Sequence, residues 1–138
     1  MLLERFLPAP PSRVLDVGGA SGLYASWLSG RGYHVHLIDP VPLHREQATT
    51  DGRFSVAPGD ARHLAEDDAS YDAVLLLGPL YHLTERTDRV RTLAEARRVT
   101  RPGATTRHWP TSPAPSSSTL KTTGLVTSVR LRFTVAAT

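Results

Sequence analysis

Small residues are concentrated in one short turn that separates an apolar run from a helix-like pattern. They are Gly18, Gly19, Ala20 and Gly22. Because these side chains are small, backbone N–H groups at a helix N-terminus can approach a ligand closely there. A carboxylate, Asp39, ends a second apolar run about 20 residues after the first glycine, where nucleotide-binding sheets place an acid that accepts hydrogen bonds from ribose hydroxyls. The pattern indicates a nucleotide-like ligand, although Asp39 could instead be a turn cap ahead of Pro40 and Pro42.

The elements needed to position these groups alternate along the chain. Apolar runs predict strands at 14–17, 33–38, 53–57 and 73–77. Helical periodicity predicts helices at 2–7, 23–28, 42–48 and 86–100. The last helix is expected to bury one face, made of Val90, Leu93, Ala94 and Arg97. Alternating strands and helices predict an α/β fold with a doubly wound, mostly parallel sheet that binds ligands at the carboxyl ends of its strands.

The spacing within the turn separates two classes of ligand. A dinucleotide fingerprint requires small residues at offsets 0, 2 and 5, and Leu23 at the last offset fits poorly. The alternative pattern is an acid followed by three alternating glycines. Its positions in this chain are Asp16, Gly18, Ala20 and Gly22. With a single glycine replaced by alanine, this pattern resembles motif I of the class I S-adenosylmethionine-dependent methyltransferases.

Further segments resemble the same family and follow in the family's order. They lie at 58–64, 68–77 and 95–103, so that the resemblance covers roughly residues 2–103. It implies a Rossmann-like fold, S-adenosyl-L-methionine as the cofactor, and transfer of the methyl group to a nucleophile. Such a transfer depends mainly on alignment and desolvation, and we therefore expect no metal.

The resemblance also implies which residues hold the cofactor. Asp60 would accept a hydrogen bond from the adenine amino group, and the backbone N–H of Ala61 would donate one to a ring nitrogen. An ordinary Gly-Asp loop is the alternative interpretation of this segment. The other predicted cofactor-binding residues are Asp16, Gly18, Gly19, Ala20, Gly22, Asp39, Leu77 and Gly78.

Two residues after the fourth predicted strand are candidates for catalysis. Tyr81 and His82 lie in the loop that, in the family, faces the acceptor. A histidine titrates close to neutral pH and can orient or deprotonate an acceptor. Alternatively, Tyr81 packs under the adenosine, and His82 caps a helix or faces solvent.

Composition restricts the other function classes. The 138-residue chain has no cysteine, hence no disulfide framework or thiolate metal site, and His34 and His36 lack a third ligand at a recognisable spacing. Residues 1–103 hold 12 Arg against 13 acids, whereas 104–138 hold four basic residues and no acid. The net charge of +3 therefore comes from the tail, and we expect no nucleic-acid partner. Without an apolar run near 20 residues or a basic N-terminal start, we expect no membrane segment and a cytoplasmic location.

The character of the chain changes after Gly103. We predict an S-adenosylmethionine-binding domain at 1–103 and a Ser/Thr/Pro-rich tail at 104–138, with an edge strand at 125–135. Either a divergent natural tail or a shifted reading frame explains this change. The sheet is expected to be truncated after the fourth strand and its helix. An unpaired edge on that strand would favour self-association.

Three functions follow from these patterns. The first is an S-adenosylmethionine-dependent methyltransferase that acts on a small-molecule acceptor. The second is a non-catalytic or degenerate S-adenosylmethionine-binding fragment, since the tail departs from the family. The third, and least consistent with the turn spacing, is a nicotinamide-dinucleotide-dependent oxidoreductase.

Overall fold

A computed structural model of the chain describes residues 2–108. A 3-10 helix, Leu2–Phe6, precedes strand β1, Arg13–Val17, and helix α1, Leu23–Ser29. Strand β2, His34–Ile38, leads to helix α2, Pro42–Thr49, and to the short strand β3, Ser55–Ala57. Strand β4, Tyr71–Leu76, is followed by helices α3, Pro79–His82, and α4, Arg86–Val99, and by strand β5, Thr100–His108.

The five strands form one parallel sheet in the order β3-β2-β1-β4-β5. The order reverses between β1 and β4, and this is the point at which doubly wound sheets bind ligands. The predicted α/β, doubly wound and mostly parallel fold is confirmed.

Two apolar cores cover the two faces of the sheet, because successive side chains of a strand point to opposite faces. Val14 of β1 packs with Ala25 and Leu28 of α1 on one face. Leu15 of β1 packs with Val99 of α4 on the other face. The central strand is thus buried on both sides, and its carboxyl end is held in a fixed position relative to the neighbouring strands.

The sheet continues one strand beyond the predicted truncation, which is therefore wrong. Strand β5 pairs with β4 from Ala73↔Thr105 to Leu76↔His108, after an irregularity between Tyr71 and Ala73. Strand pairing uses backbone groups and does not require an apolar sequence, and threonine has a high strand propensity. Consequently β4 has no free edge, and β5 runs across the boundary that we placed at residue 103. The strand predicted at 125–135 lies outside the described residues.

Helix α4 buries a different face from the one predicted. Thr92, Ala96 and Val99 are buried, whereas Val90 is 54% exposed. The predicted and observed faces share only the partly buried Leu93. Among residues 2–108, no helix is long and apolar enough to span a membrane.

Candidate functional site

The loop between β1 and α1 has a backbone that small residues favour. Gly18 and Gly22 have φ values of 67° and 84°, and Ala20 has a φ of 51°. A Cβ on Gly18 would lie 2.7 Å from Cγ of Pro79, at the start of α3. The loop therefore approaches the segment after β4 so closely that a side chain at position 18 has no room.

Asp39 joins this loop to the end of β2. Its carboxylate is buried; Oδ2 accepts a hydrogen bond from Ala20 N at 3.1 Å, and Oδ1 accepts one from Val41 N at 2.8 Å. His44 Nδ1 lies 3.1 Å from Oδ1, and Arg45 Nη1 donates to the Asp39 carbonyl at 2.8 Å. Because each carboxylate oxygen can accept two hydrogen bonds, Oδ2 retains capacity for one further donor.

Asp16 is a second buried acid beside the same loop. It is 1% exposed, and its Oδ2 has no hydrogen-bond partner among the described atoms. Burial, with a smaller contribution from the negative charge of Asp39, raises the pKa of Asp16 to about 7. A Cβ on Gly19 would lie 2.5 Å from Asp16 Oδ2, so the loop rests directly on this carboxyl group.

A cavity of about 490 Å³ opens at the carboxyl ends of the central strands. This volume falls within the range of volumes found for small-molecule binding sites. Its walls come from the turn after β1, the segments after β2 and β3, and the region around α3. The lining residues are Gly18, Ala20, Asp39, Pro40, Val41, His44, Asp60, Ala61, Arg62, Gly78, Pro79, His82 and Leu83.

Most of the predicted site residues converge on this cavity. The structure brings together Gly18, Ala20, Asp39, Asp60, Ala61, Gly78 and His82. Four predicted residues are outside the lining: Asp16, Gly19, Gly22 and Leu77. Tyr81 is also outside it and is 57% exposed.

Asp60 meets a positively charged partner at the cavity wall. The Arg62 guanidinium donates to both oxygens of its carboxylate, with Nε at 3.0 Å from Oδ1 and Nη2 at 2.7 Å from Oδ2. These hydrogen bonds, chiefly from the Arg62 side chain, lower the pKa of Asp60 to about 2. Asp60 is therefore ionised at neutral pH.

A second cavity, of about 670 Å³, lies at the amino ends of β1, β4 and β5. It is more open and contains none of the predicted site residues. Its charged residues include Asp72 and Arg101, which form an ion pair with each other. The smaller cavity is therefore the better candidate, because its polar groups converge at the reversal of strand order.

A family model described as a methyltransferase domain matches residues 15–106, which is two thirds of the chain. The chain belongs to this methyltransferase family. The resemblance to class I S-adenosylmethionine-dependent methyltransferases is confirmed. The matched region contains the glycine turn, Asp39 and Asp60.

Curated relatives and solved structures agree with this assignment. Uncharacterized methyltransferases of Mycobacterium tuberculosis strain H37Rv and of Mycobacterium bovis are each 35% identical over 102 residues, covering 73% of this chain and 40% of theirs. A SAM-dependent methyltransferase from Methanosarcina mazei has a TM-score of 0.70 and 25% identity, covering 75% of this chain and 53% of that one. The cyclase SpnF, with a TM-score of 0.68 and 22% identity, shares the fold. The chain thus spans less than two thirds of the length of these relatives.

The residues at the cavity fit the family's cofactor. The negative charge of Asp39 contributes to the raised pKa of Asp16, which lies outside the cavity lining, so a cation beside Asp39 is favoured. S-adenosyl-L-methionine carries a sulfonium and an ammonium group, and its ribose hydroxyls suit the free capacity of Asp39 Oδ2. The loop, in turn, has no room for side chains at Gly18 and Gly19.

Sequence reasoning missed six residues of the cavity wall, of which two, His44 and Arg62, have polar side chains. His44 lies in the first turn of α2 and contacts Asp39, and Arg62 contacts Asp60. The only signal for them in the sequence is their closeness along the chain to an acid: His44 follows Asp39 by five residues, and Arg62 follows Asp60 by two. Within residues 2–108 no group of three His, Cys, Asp or Glu side chains could hold a metal ion, and His36 Nδ1 instead lies 2.6 Å from Ser55 Oγ.

Proposed function

We propose that this chain binds S-adenosyl-L-methionine in the 490 Å³ cavity and transfers its methyl group to a small-molecule acceptor. The observation that carries this proposal is the convergence of the glycine turn with Asp39 and Asp60 on one cavity of a methyltransferase-family fold. Each of these groups comes from a different loop, and all three loops lie at the carboxyl ends of parallel strands.

The residues of the chain act by holding and orienting the cofactor. Asp39 Oδ2 has capacity for a ribose hydroxyl, while its bonds to Ala20 N and Val41 N fix the carboxylate. Asp60 and the Ala61 N–H form the proposed adenine edge of the cavity. The cofactor supplies a methyl group that is already activated on sulfur. The catalytic work left to the protein is therefore alignment and exclusion of water.

His82 is the proposed acceptor-facing group. It lines the cavity beside Gly78 and Pro79, and Tyr81 does not, although both side chains are exposed to solvent. A neutral imidazole at this position can take the proton that an acceptor hydroxyl or amine loses. We keep Tyr81 as a proposed acceptor contact outside the cofactor cavity.

A second candidate function is cofactor binding without methyl transfer. The chain spans 40% of the length of the curated relatives it matches, so much of their length has no counterpart in the matched segment. The fold itself does not decide the reaction, since the cyclase SpnF also has it. The acceptor and the turnover therefore require direct measurement.

The binding test compares ligands by thermal unfolding of the full chain. S-adenosylhomocysteine should raise the melting temperature, because it binds the folded state, whereas nicotinamide dinucleotides should not. Asp39→Ala should remove this shift, and Asp67→Ala, at an exposed acid away from the cavity, should retain it. A shift with a dinucleotide alone would contradict the proposed cofactor.

The transfer test uses S-adenosyl-L-methionine with a labelled methyl group and a panel of small hydroxyl and amine acceptors. We expect labelled product from the parent chain and at least about tenfold less from His82→Ala, with cofactor binding retained. Binding without labelled product for any acceptor would favour the second candidate function.

A further inference from the structure

Arg62 lies between two carboxylates at the wall of the cavity. It follows Asp60 by two residues and lines the cavity with it. Its Nη1 donates to Oδ2 of Asp88 at 3.0 Å. Asp88 belongs to the first turn of α4, so this side chain connects the loop after β3 to a helix distant in sequence.

The contacts between Arg62 and Asp60 restrict the orientation of the carboxylate. Oδ1 accepts hydrogen bonds from Arg62 N at 2.8 Å and from Nε at 3.0 Å. Oδ2 accepts from Nη2 at 2.7 Å, with Nε farther away at 3.2 Å. A two-point contact of this kind fixes both the direction and the plane of a carboxylate, which a single-point contact does not. Arg62 thus supplies three N–H donors, with the Nε hydrogen shared between both oxygens, to about four acceptor positions of the carboxylate, which leaves capacity for one ligand donor.

We propose that Arg62, anchored by Asp88, positions the Asp60 carboxylate so that the cavity selects a 6-amino purine over a 6-oxo purine. This inference rests on the proposed function, in which Asp60 faces the adenine amino group. An amino group donates to the oriented oxygen. A 6-oxo group would place an acceptor against the carboxylate, so that no hydrogen bond forms between them and the 6-oxo oxygen stays unpaired.

The alternative is that the ion pairs simply fasten the loop to α4. A fastening role would lower the affinity for every purine ligand by the same factor when Arg62 is replaced. A positioning role changes the ratio of two affinities, and that ratio is insensitive to a general loss of folded protein. The two roles are therefore separable by one measurement on two ligands.

The chain contains a matched control for this arrangement. Arg53 contacts Asp51, again two residues earlier, with Nε 2.6 Å from Oδ1 and Nη2 2.6 Å from Oδ2. Neither residue lines the cavity. Arg53→Gln therefore removes an equivalent ion pair without altering the proposed purine site.

The experiment is calorimetric titration of the full chain with S-adenosylhomocysteine and with S-inosylhomocysteine. We expect the parent chain to prefer the adenine compound by about tenfold or more. Arg62→Gln should bring the two affinities to within about threefold, and Asp88→Asn should reduce the preference partially. Arg62→Lys keeps the charge but not the two-point contact, and should resemble Arg62→Gln. Arg53→Gln should leave the preference unchanged.

Each other outcome has a definite meaning. An unchanged preference in Arg62→Gln, or full recovery of it in Arg62→Lys, overturns the positioning role while the proposed function stands. No binding of either compound by the parent chain overturns the proposed function and this inference together. If circular dichroism shows that Arg62→Gln does not fold, Asp88→Asn is the deciding variant. An unchanged preference for the adenine compound in Asp88→Asn overturns the proposal that Arg62, anchored by Asp88, positions Asp60.

Discussion

Ala20 holds a backbone conformation that residues with a Cβ seldom adopt. Its φ of 51° lies in the left-handed region, and its N–H donates to Asp39 at the cavity. This conformation costs a non-glycine residue about 1–2 kcal/mol. The site therefore carries a local strain at the position where the family pattern has a glycine.

Replacing Ala20 by glycine should release this strain. We expect Ala20→Gly to stabilise the chain by about 1 kcal/mol, as measured by urea unfolding, because the Cβ clash is removed. Ala69 has a similar φ of 52° far from the cavity, so Ala69→Gly serves as the matched control and should give a similar gain. A loss of stability in Ala20→Gly alone would show that the Ala20 side chain contributes contacts that exceed the strain.

Asp16 should make the stability of the chain depend on pH. Its pKa is about 7 in the folded chain, above the ordinary value of 3.8, so the folded state binds more protons than the unfolded state between these values. Stability from this group is therefore present at low pH and is lost as the pH rises towards 7. Asp16→Asn has no charge to bury, and its stability relative to the parent should increase by about 2 kcal/mol from pH 5 to pH 8.

Urea unfolding of both proteins at the two pH values measures this difference. Asp67→Asn is the control, because the Asp67 residue is exposed, and its stability relative to the parent should stay constant. If the Asp16→Asn difference is equally constant, the folded chain does not raise the pKa of this group.

At the scale of elements, the strands and the turn were predictable because strong local signals specify them. Val14, Leu15 and Val17 form a short β-branched and apolar run typical of a strand buried on both faces, and the glycines mark the turn after it. Strand β5 was not predicted, because its pairing depends on backbone groups and on strand β4, which lies about 30 residues earlier in the sequence. The role of Arg62 was not predicted for the same reason, because Arg62 and its partner Asp88 are 26 residues apart in the sequence.

The buried face of α4 was mispredicted because apolar residues occur on both of its sides. Val90 and Leu93 indicate one apolar face of this highly charged helix, but the face that packs against the sheet is the one with Ala96 and Val99.

Val99→Ala should therefore destabilise the chain by about 2 kcal/mol in urea unfolding, through lost burial and a residual cavity. Val90→Ala is the matched substitution on the exposed side and should change stability by less than about 0.5 kcal/mol. Equal effects would support the predicted face instead.

At the scale of the whole molecule, β5 moves the free edge of the described sheet away from β4. The other edge, β3, has three residues, and such short edges pair poorly with other chains. Strand β5 has nine residues and presents the longer row of backbone groups. Among the described strands β5 therefore has the longer outer edge, and we propose that the chain self-associates through it.

Two proline substitutions in β5 separate pairing with β4 from pairing with another chain. Adjacent N–H groups in a strand point to opposite sides, so only one of Thr105 and Thr106 donates towards β4. Proline at that position should destabilise the chain by about 3 kcal/mol, because a ladder hydrogen bond is lost. Proline at the other position should preserve stability and remove a donor from the outer edge.

Sedimentation velocity over a range of concentrations measures the consequence for assembly. We expect the parent chain to associate as its concentration rises, and the stable proline variant to remain monomeric, because its outer edge can no longer form a regular ladder. The destabilised variant should associate more strongly than the parent, since loss of β5 pairing exposes β4. A parent chain that stays monomeric throughout would contradict association through β5, and equal stabilities of the two proline variants would contradict the pairing of β5 with β4 itself.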